Sequence, residues 1–502
     1  MRKNKRDNLM KHLKNFLAIV PIFALSACMV APEYENPNQS IGEKEVFNFE
    51  KFSHDKGQWK TATPQDTLSR GQWYDVFKDP VLSEYMQSCK DDNPDIMSLY
   101  YKVQQAAEAA AITRSHLYPN ASGSAYYFKN EVGDHSIVRP LGNAFEDWAL
   151  GATLTWDADL FGRIRSVLAA SKAEAQSALM EYENALLSLQ TKVAALYFSI
   201  AEMQSEIAVL KNTLKLRESQ TKFVASRCEM QSASLADLER AKALQFSTAA
   251  QLTQLNESVA IAKNTMAALL GKTPSAIKIK VAPLKKNPPE IPLEVPSKLL
   301  ERRADIAAAE RMVFAANRRI GAANAAFFPT ISITSSLGTE STAFSKLLNT
   351  SSFAWGVSPQ IYIPLFQAGK LKAQKRAALA KHQAALQDYK GKVLNAVKEC
   401  ENALAKSSHT KQRSKQLLLA YNAANKADKI TQDQYEAGVI DYFQACQSHA
   451  AALSAKLALL ENRGKEYRNA VELIRALGGS WEFKAPEKSA LENAQDIFEQ
   501  SK

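Results

Sequence analysis

The chain is written twice, and that repeat limits what it can fold into more than any other feature. Asn93-Pro94-Asp95-Ile96 corresponds to Arg303-Ala304-Asp305-Ile306, and Leu117-Tyr118-Pro119 to Phe327-Phe328-Pro329, both at a spacing of 210. Gly162-Arg163-Ile164 matches Gly369-Lys370-Leu371, and Leu270-Gly271 matches Leu477-Gly478, both at 207. Between Gly162 and Gly271 the offset does not change, as a long rigid element requires and chance similarity does not. Each half reads as helix, strand, loop, strand, very long helix and returning helix. First helices are expected over 82–116 and 297–326. Tyr118-Pro119 and Phe328-Pro329 close them, because proline disfavours a helical residue before it. The long helices run from about 163 and 370 to reversals near Gln231 and Gly438, 68 residues each, or about 100 Å. The returning helices end at Gly271 and Gly478. Ala and Leu recur through these helices, as from Ala377 to Leu386, and small residues let antiparallel helices pack closely. A soluble coiled coil would share these traits; the strands decide against it.

Trp148, Leu150, Ala152, Leu154 and Trp156 alternate with Ala149, Gly151, Thr153 and Thr155. One face is apolar with aromatic ends and the other is small and polar. Phe353, Trp355, Val357, Pro359, Ile361 and Ile363 repeat the pattern against Ala354, Gly356, Ser358 and Gln360. Such segments fit tilted outer-membrane strands, although a half-buried soluble sheet shares the period. Partner strands are expected at about 120–128 and 330–338. Four strands cannot close a barrel, and lipid tolerates no open edge because its unpaired backbone groups would find no water. Other copies must therefore complete it. Two copies give eight strands and a plugged interior; three give twelve and a lumen.

The amino terminus reads as an export signal. Residues 1–27 carry six Lys/Arg against Asp7, a balance of +5, and the whole chain carries +11, so +6 remains on the other 475 residues. Those remaining basic residues are scattered along helical stretches without interleaved aromatics, which describes a solvated helix surface and not a nucleic-acid footprint. The apolar run from Phe16 to Leu25 is too short to span a bilayer and ends in Leu25-Ser26-Ala27-Cys28. Small residues before a cysteine at that place resemble the lipobox of bacterial lipoproteins, which makes Cys28 the expected acylated mature terminus. Met29 follows it, where aspartate would mark inner-membrane retention. Export places Cys89, Cys228, Cys400 and Cys446 in an oxidising compartment. They show no metal-ligand spacing, and buried unpaired thiols are the expectation, with a Cys89–Cys400 disulfide as the open alternative.

Several segments together resemble the TolC-like outer-membrane efflux proteins, in the lipoprotein branch that serves resistance-nodulation-division pumps. They are Cys28 to Tyr34 (CMVAPEY), Trp156 to Arg165 (WDADLFGRIR), Leu299 to Pro329, Pro364 to Leu371 (PLFQAGKL), Tyr435 to Gly438 and Gly478 to Trp481. The likeness covers roughly residues 28 to 481. It implies a mainly α fold with membrane β-structure: a trimeric twelve-stranded outer-membrane barrel, four strands per chain, continuous with a twelve-helix periplasmic barrel. The division expected is a signal peptide over 1–27, a lipid-anchored segment over 28–80, efflux repeats over 81–285 and 286–481, and a polar tail over 482–502. The resemblance further implies a homotrimer, a periplasmic adaptor protein, an inner-membrane pump of the resistance-nodulation-division type, contact with outer-membrane lipid, and no cofactor. Gln231 and Ser232, with Gly438 and Val439, fall at adaptor-docking tips. Asp237, Phe443 and Gln447 fall at a constriction just inside them. The family usually has proline at Ala304 and glycine at Gln231, and often an acid at Gln447; the last two departures touch docking and gating. Gly438 allows a tight reversal that Gln231 makes less easily, so the two tips are expected to differ in shape.

No catalytic pattern competes. Gly271-Lys272-Thr273 resembles the end of a phosphate loop, but Met266 stands at the required first glycine and a helix precedes it, so a helix cap is the expectation. The seven histidines form no HxH or HExxH, and neither a serine elbow nor a paired-carboxylate site emerges. The alternatives to small-molecule efflux are type I protein secretion by the same fold and a structural envelope lipoprotein. The latter would explain the lipobox and long helices but not the duplicated strands.

Overall fold

The computed structural model describes residues 31–34, 72–131, 144–285, 288–289, 291 and 302–479. Helices α1 (Pro80–Asp92) and α2 (Pro94–Ser115) lead into strands β1 (Asn120–Glu131) and β2 (Ala144–Ala158), then helices α3 (Arg163–Glu229) and α4 (Leu235–Leu269). The plan repeats with α5 (Ala304–Ala325), β3 (Thr330–Ser341), β4 (Phe353–Tyr362), α6 (Lys370–Glu436) and α7 (Tyr442–Ala476). The duplicated lengths match: 67 residues in α3 and α6, 35 in α4 and α7, and 22 in α2 and α5. The expected signal, Cys28, residues 297–301 of the expected second first-helix, and the tail over 482–502 lie outside the described residues.

The helix expected over 82–116 is two helices. Asn93 is extended, and its Oδ1 accepts the amides of Asp95 at 2.9 Å and Ile96 at 3.1 Å. Its Nδ2 donates to the Leu269 carbonyl at 2.8 Å, which ties the break to the end of α4. Pro94 follows at the first helical position, where a missing N–H costs nothing. The cap was therefore legible at Asn93-Pro94, and the apolar pattern running through it concealed it.

The four strands form one antiparallel sheet in the order β1-β2-β3-β4. Both hairpins keep one register: Asn120 faces Thr155 in the first, and Thr330 faces Tyr362 in the second, at the offsets of the repeat. Cross-strand partners share a face, so register assigns every side chain. Leu154, Trp156, Ile333, Leu337, Trp355 and Ile361 lie on one face. Ser122, Thr153, Ser336, Ser358 and Gln360 lie on the other. Trp148 and Trp156 mark the ends of the apolar face, eight residues or about 27 Å of strand apart, the height of an outer-membrane apolar belt. β1 and β4 are the open edges of this sheet.

Below the sheet the core sits where α1, α3, α4 and α7 meet. Trp73, Phe77, Phe198, Tyr197 and Tyr467 are buried there, with the Phe77 and Phe198 rings 4.9 Å apart and the Phe198 and Tyr467 rings 4.8 Å apart. Tyr197 Oη donates to Asp79 Oδ2 at 2.7 Å and accepts the Ala282 amide at 2.9 Å. The same Asp79 caps α1 through the amides of Val81 and Leu82. One stretch of α3 is apolar enough by length and composition to cross a membrane, an addition to the N-terminal run noted in the sequence. Val193, Ala194, Tyr197, Phe198 and Ile200 on it are buried among other helices, so core packing accounts for its apolarity. Cys89, Cys228, Cys400 and Cys446 are all free thiols. Burial pushes the Cys89 thiol up to about 12 and Cys400 up to about 11, which leaves both unreactive. The Cys89–Cys400 disulfide is not formed.

Candidate functional site: the helical tips

Each long helix reverses through one left-handed residue. Gln231 has φ 52° and Gly438 has φ 77°. Around Gln231, the Ser232 amide donates to the Arg227 carbonyl at 2.8 Å and the Gln231 amide to Cys228 at 3.0 Å. Around Gly438, the Val439 amide donates to Gln434 at 2.9 Å and the Gly438 amide to Tyr435 at 3.0 Å. This paired closure satisfies the last carbonyls of a helix. The returning helices then start on side-chain caps, with Ser234 accepting from the Asp237 amide and Asp441 from the Gln444 amide. The expectation that the tips differ in shape is therefore wrong. The left-handed region costs a non-glycine residue about 1–2 kcal/mol, and the hydrogen bonds on both sides of Gln231 outweigh that cost.

The tips expose apolar side chains: Met230 and Leu235 beside one reversal and Val439 at the other. Behind them Val224, Ala241 and Tyr442 form a small buried cluster that joins the two hairpins. Tyr435 and Tyr442 pack with ring centroids 5.6 Å apart. Burial pushes the Cys446 thiol up. Arg217 is buried nearby, with its Nη1 donating to the Leu244 carbonyl at 2.7 Å and to Thr248. The buried setting pulls the Arg217 guanidinium below its ordinary value.

Asp237 and Phe443, expected at a constriction, are brought together by Arg240. Asp237 Oδ2 accepts the Ser234 hydroxyl at 2.7 Å, and its Oδ1 lies 3.5 Å from Arg240 Nη1. The Arg240 guanidinium in turn sits over the Phe443 ring, 5.2 Å from its centroid. A cation over an aromatic face is an attractive contact, and here it links α4 to α7 across the two hairpins. Gln447 lies one turn further along α7 and is exposed. The i,i+3 spacing of Asp237 and Arg240 was visible in sequence; the Phe443 contact depends on how the hairpins pack. Gly271 has φ 71° after α4, with the Lys272 amide closing onto Ala267 at 3.0 Å, so Gly271-Lys272-Thr273 is a helix cap.

Comparison with known proteins gives a consistent result. The family model described as outer membrane efflux protein matches residues 86–272 and 295–479. The cation efflux system protein CusC of Escherichia coli O6:H1 is 29% identical over 469 residues, spanning 91% of this chain and 97% of the relative. The solvent efflux pump outer membrane protein SrpC of Pseudomonas putida is 29% identical over 477 residues, spanning 92% and 98%. The solved structure of the outer-membrane channel OprN superposes with a TM-score of 0.78 at 25% identity, covering 90% of this chain and all of that one.

Proposed function

The chain belongs to the outer membrane efflux protein family and is an outer-membrane efflux channel, and on that premise we propose that three copies form one passive duct, docked by its tips to a periplasmic adaptor and an inner-membrane pump. The observation that carries this reading is the join of an open-edged sheet of membrane height to two 67-residue helices about 100 Å long. The sheet needs further copies, and the hairpins are long enough to meet partners deep in the periplasm. Small-molecule cargo is favoured over protein secretion by the Leu299–Pro329 segment and the lipobox. Relatives named for cations and for solvents are equally similar to the chain, which supports cargo selection in the pump and not in the duct. Cys28 is the proposed lipid anchor. Ala31, three residues later, packs against Gly321 of α5, and Tyr34 lies edge-on to Phe314 at 4.9 Å, so the leader joins the body close below the sheet.

The docking surface proposed is the pair of reversals, Gln231-Ser232 and Gly438-Val439, with Met230 and Leu235 as apolar anchors. The constriction proposed is three Asp237–Arg240–Phe443 clusters around the axis, with Gln447 adding no charge. A ring of Asp237 carboxylates focuses cations, and each paired Arg240 offsets part of that field. In planar bilayers the assembled protein should conduct with a cation preference. Asp237→Asn should weaken the preference, Arg240→Ala should strengthen it several-fold, and Phe443→Ala should raise conductance. Unchanged selectivity and conductance in all three assembled variants would place the constriction elsewhere, and an absence of any conductance would overturn the duct itself.

A further inference from the structure

Behind the tips, α3, α4, α6 and α7 surround one small cavity whose walls are rich in hydrogen-bond donors. Arg217 and Gln220 of α3, Tyr435 of α6, and Tyr442, Cys446 and His449 of α7 line it, and no Asp or Glu is among the lining residues. We infer that this cavity is a binding site for one small monovalent anion of the halide class, held between Arg217 and His449. None of these residues belongs to the docking surface or the constriction proposed above, and all four helices come from one chain.

Arg217 supplies one wall and is only 8% exposed. Its Nη1 donates to the Leu244 carbonyl at 2.7 Å and to the Thr248 hydroxyl, both neutral acceptors. A guanidinium has five N–H donors, and the three on Nε and Nη2 have no hydrogen-bond partner among the described residues. The groups that act on its charge are Cys446 and Tyr442, not a carboxylate, and burial pulls it below its ordinary value. A buried charge without a counter-charge is costly. The other buried arginine among the described residues, Arg303, has both Asp305 and Glu399. Arg217 lacks what Arg303 has, and a cavity stands beside it.

His449 supplies the opposite wall. Its Nδ1 lies 3.0 Å from Asp428 Oδ2, so the proton sits on Nδ1. Its Nε2 is buried without a hydrogen-bond partner, and such an atom marks something missing. Protonated, the ring presents a second N–H to the cavity with the Asp428 carboxylate behind it. The row Asp428, His449, anion and Arg217 then holds two negative and two positive charges. Without the anion, one buried positive charge is left over. Burial pushes the Tyr435 and Tyr442 hydroxyls and the Cys446 thiol up, so all three are neutral. The remaining charges lie towards the tips: Arg227 of α3 acts on Tyr435, and Asp237 and Arg240 of α4 act on Cys446. The cavity measures about 10 Å³, room for one water-sized particle, so a halide fits and sulfate or phosphate does not. An ion there joins α3 of the first hairpin to α6 and α7 of the second, about 20 Å behind the reversals.

Thermal melting of the detergent-extracted protein tests the site, with sodium chloride exchanged for sodium methanesulfonate at constant ionic strength. Chloride and bromide should raise the melting temperature in a saturable way. Methanesulfonate, too large for the cavity, should not. Arg217→Gln should raise the half-saturating chloride concentration at least about tenfold. In the parent that concentration should fall several-fold between about pH 8 and about pH 6, as the histidine takes up its proton, and His449→Gln should lose this pH dependence. Crystals of the parent soaked in sodium bromide give a readout that needs no variant to fold: an anomalous peak between Arg217 and His449 Nε2. Equal melting in chloride and methanesulfonate, or a water in the cavity with no bromide peak, would overturn the site. A bromide peak with no saturable rise in melting temperature, or a rise that Arg217→Gln leaves unchanged, would mean an adventitious ion only and would overturn it as well.

Discussion

Gly438→Pro should abolish efflux while the protein still assembles in the outer membrane. Proline fixes φ near −65°, and the native residue has φ 77°, so the reversal between α6 and α7 cannot form. The substitution also removes the Gly438 amide that closes onto Tyr435 at 3.0 Å. The damage is confined to the tip, because Gly438 has no neighbour that a side chain would strike, the sheet lies at the far end of α6 and the main core packs on the far end of α7. Gln231→Gly is the mirror experiment. It relieves a left-handed non-glycine residue and should raise stability by about 1 kcal/mol with efflux intact. Efflux of a fluorescent substrate and thermal melting of the assembled protein read the two variants. Normal efflux by Gly438→Pro would move docking away from the tips.

Arg303→Ala should lower stability by about 3–5 kcal/mol, the cost of removing one member of a buried ion pair. Arg303 Nη2 lies 2.7 Å from Asp305 Oδ2 and 2.9 Å from Glu399 Oε2, and Nη1 donates to the Ala476 carbonyl at 3.2 Å. One buried guanidinium thus fastens the start of α5, the middle of α6 and the end of α7. Its loss strands the Asp305 carboxylate, while Glu399 keeps Arg475 at 3.6 Å. Burial alone would raise the Asp305 carboxyl, but the hydrogen bond and charge of Arg303 overcome it and hold Asp305 below its ordinary value. A lowered carboxyl contributes stability that is complete above the unfolded value of about 3.9 and is lost as pH falls through the folded value. The parent should therefore lose this increment in acid below about pH 4, and Arg303→Ala should show no such loss. Arg303→Lys keeps the charge without the fork and should fall between the two. Equal melting of parent and Arg303→Ala at pH 7 would show that the network is not structural.

What could be read from sequence was whatever depends on period. Strand alternation put Trp156 and Ile361 on an apolar face, and the constant 207-residue offset gave two spans of 68 residues reversing near Gln231 and Gly438, where the helices have 67. What could not be read depends on packing between segments far apart in the chain. The Arg240–Phe443 contact joins the two hairpins, and nothing local to either residue announces it. The equal shape of the tips was missed for another reason. Residue preference argued against a left-handed Gln231, while the flanking hydrogen bonds that impose it belong to the helix ends and not to the residue. The break at Asn93 is local and legible in Asn93-Pro94, but the apolar spacing continues through it and masks it.

One chain, on this proposal, is a third of a closed outer-membrane duct. The mass of the intact, detergent-extracted assembly tests it most directly, and the masses of the chains released from it read the anchor in the same run. Three chains are the expected result, each beginning at Cys28 and carrying lipid, which gives twelve strands and an open lumen. A stable assembly of two chains, with eight strands and a filled interior, or a single chain persisting as the membrane-inserted form, would contradict the account.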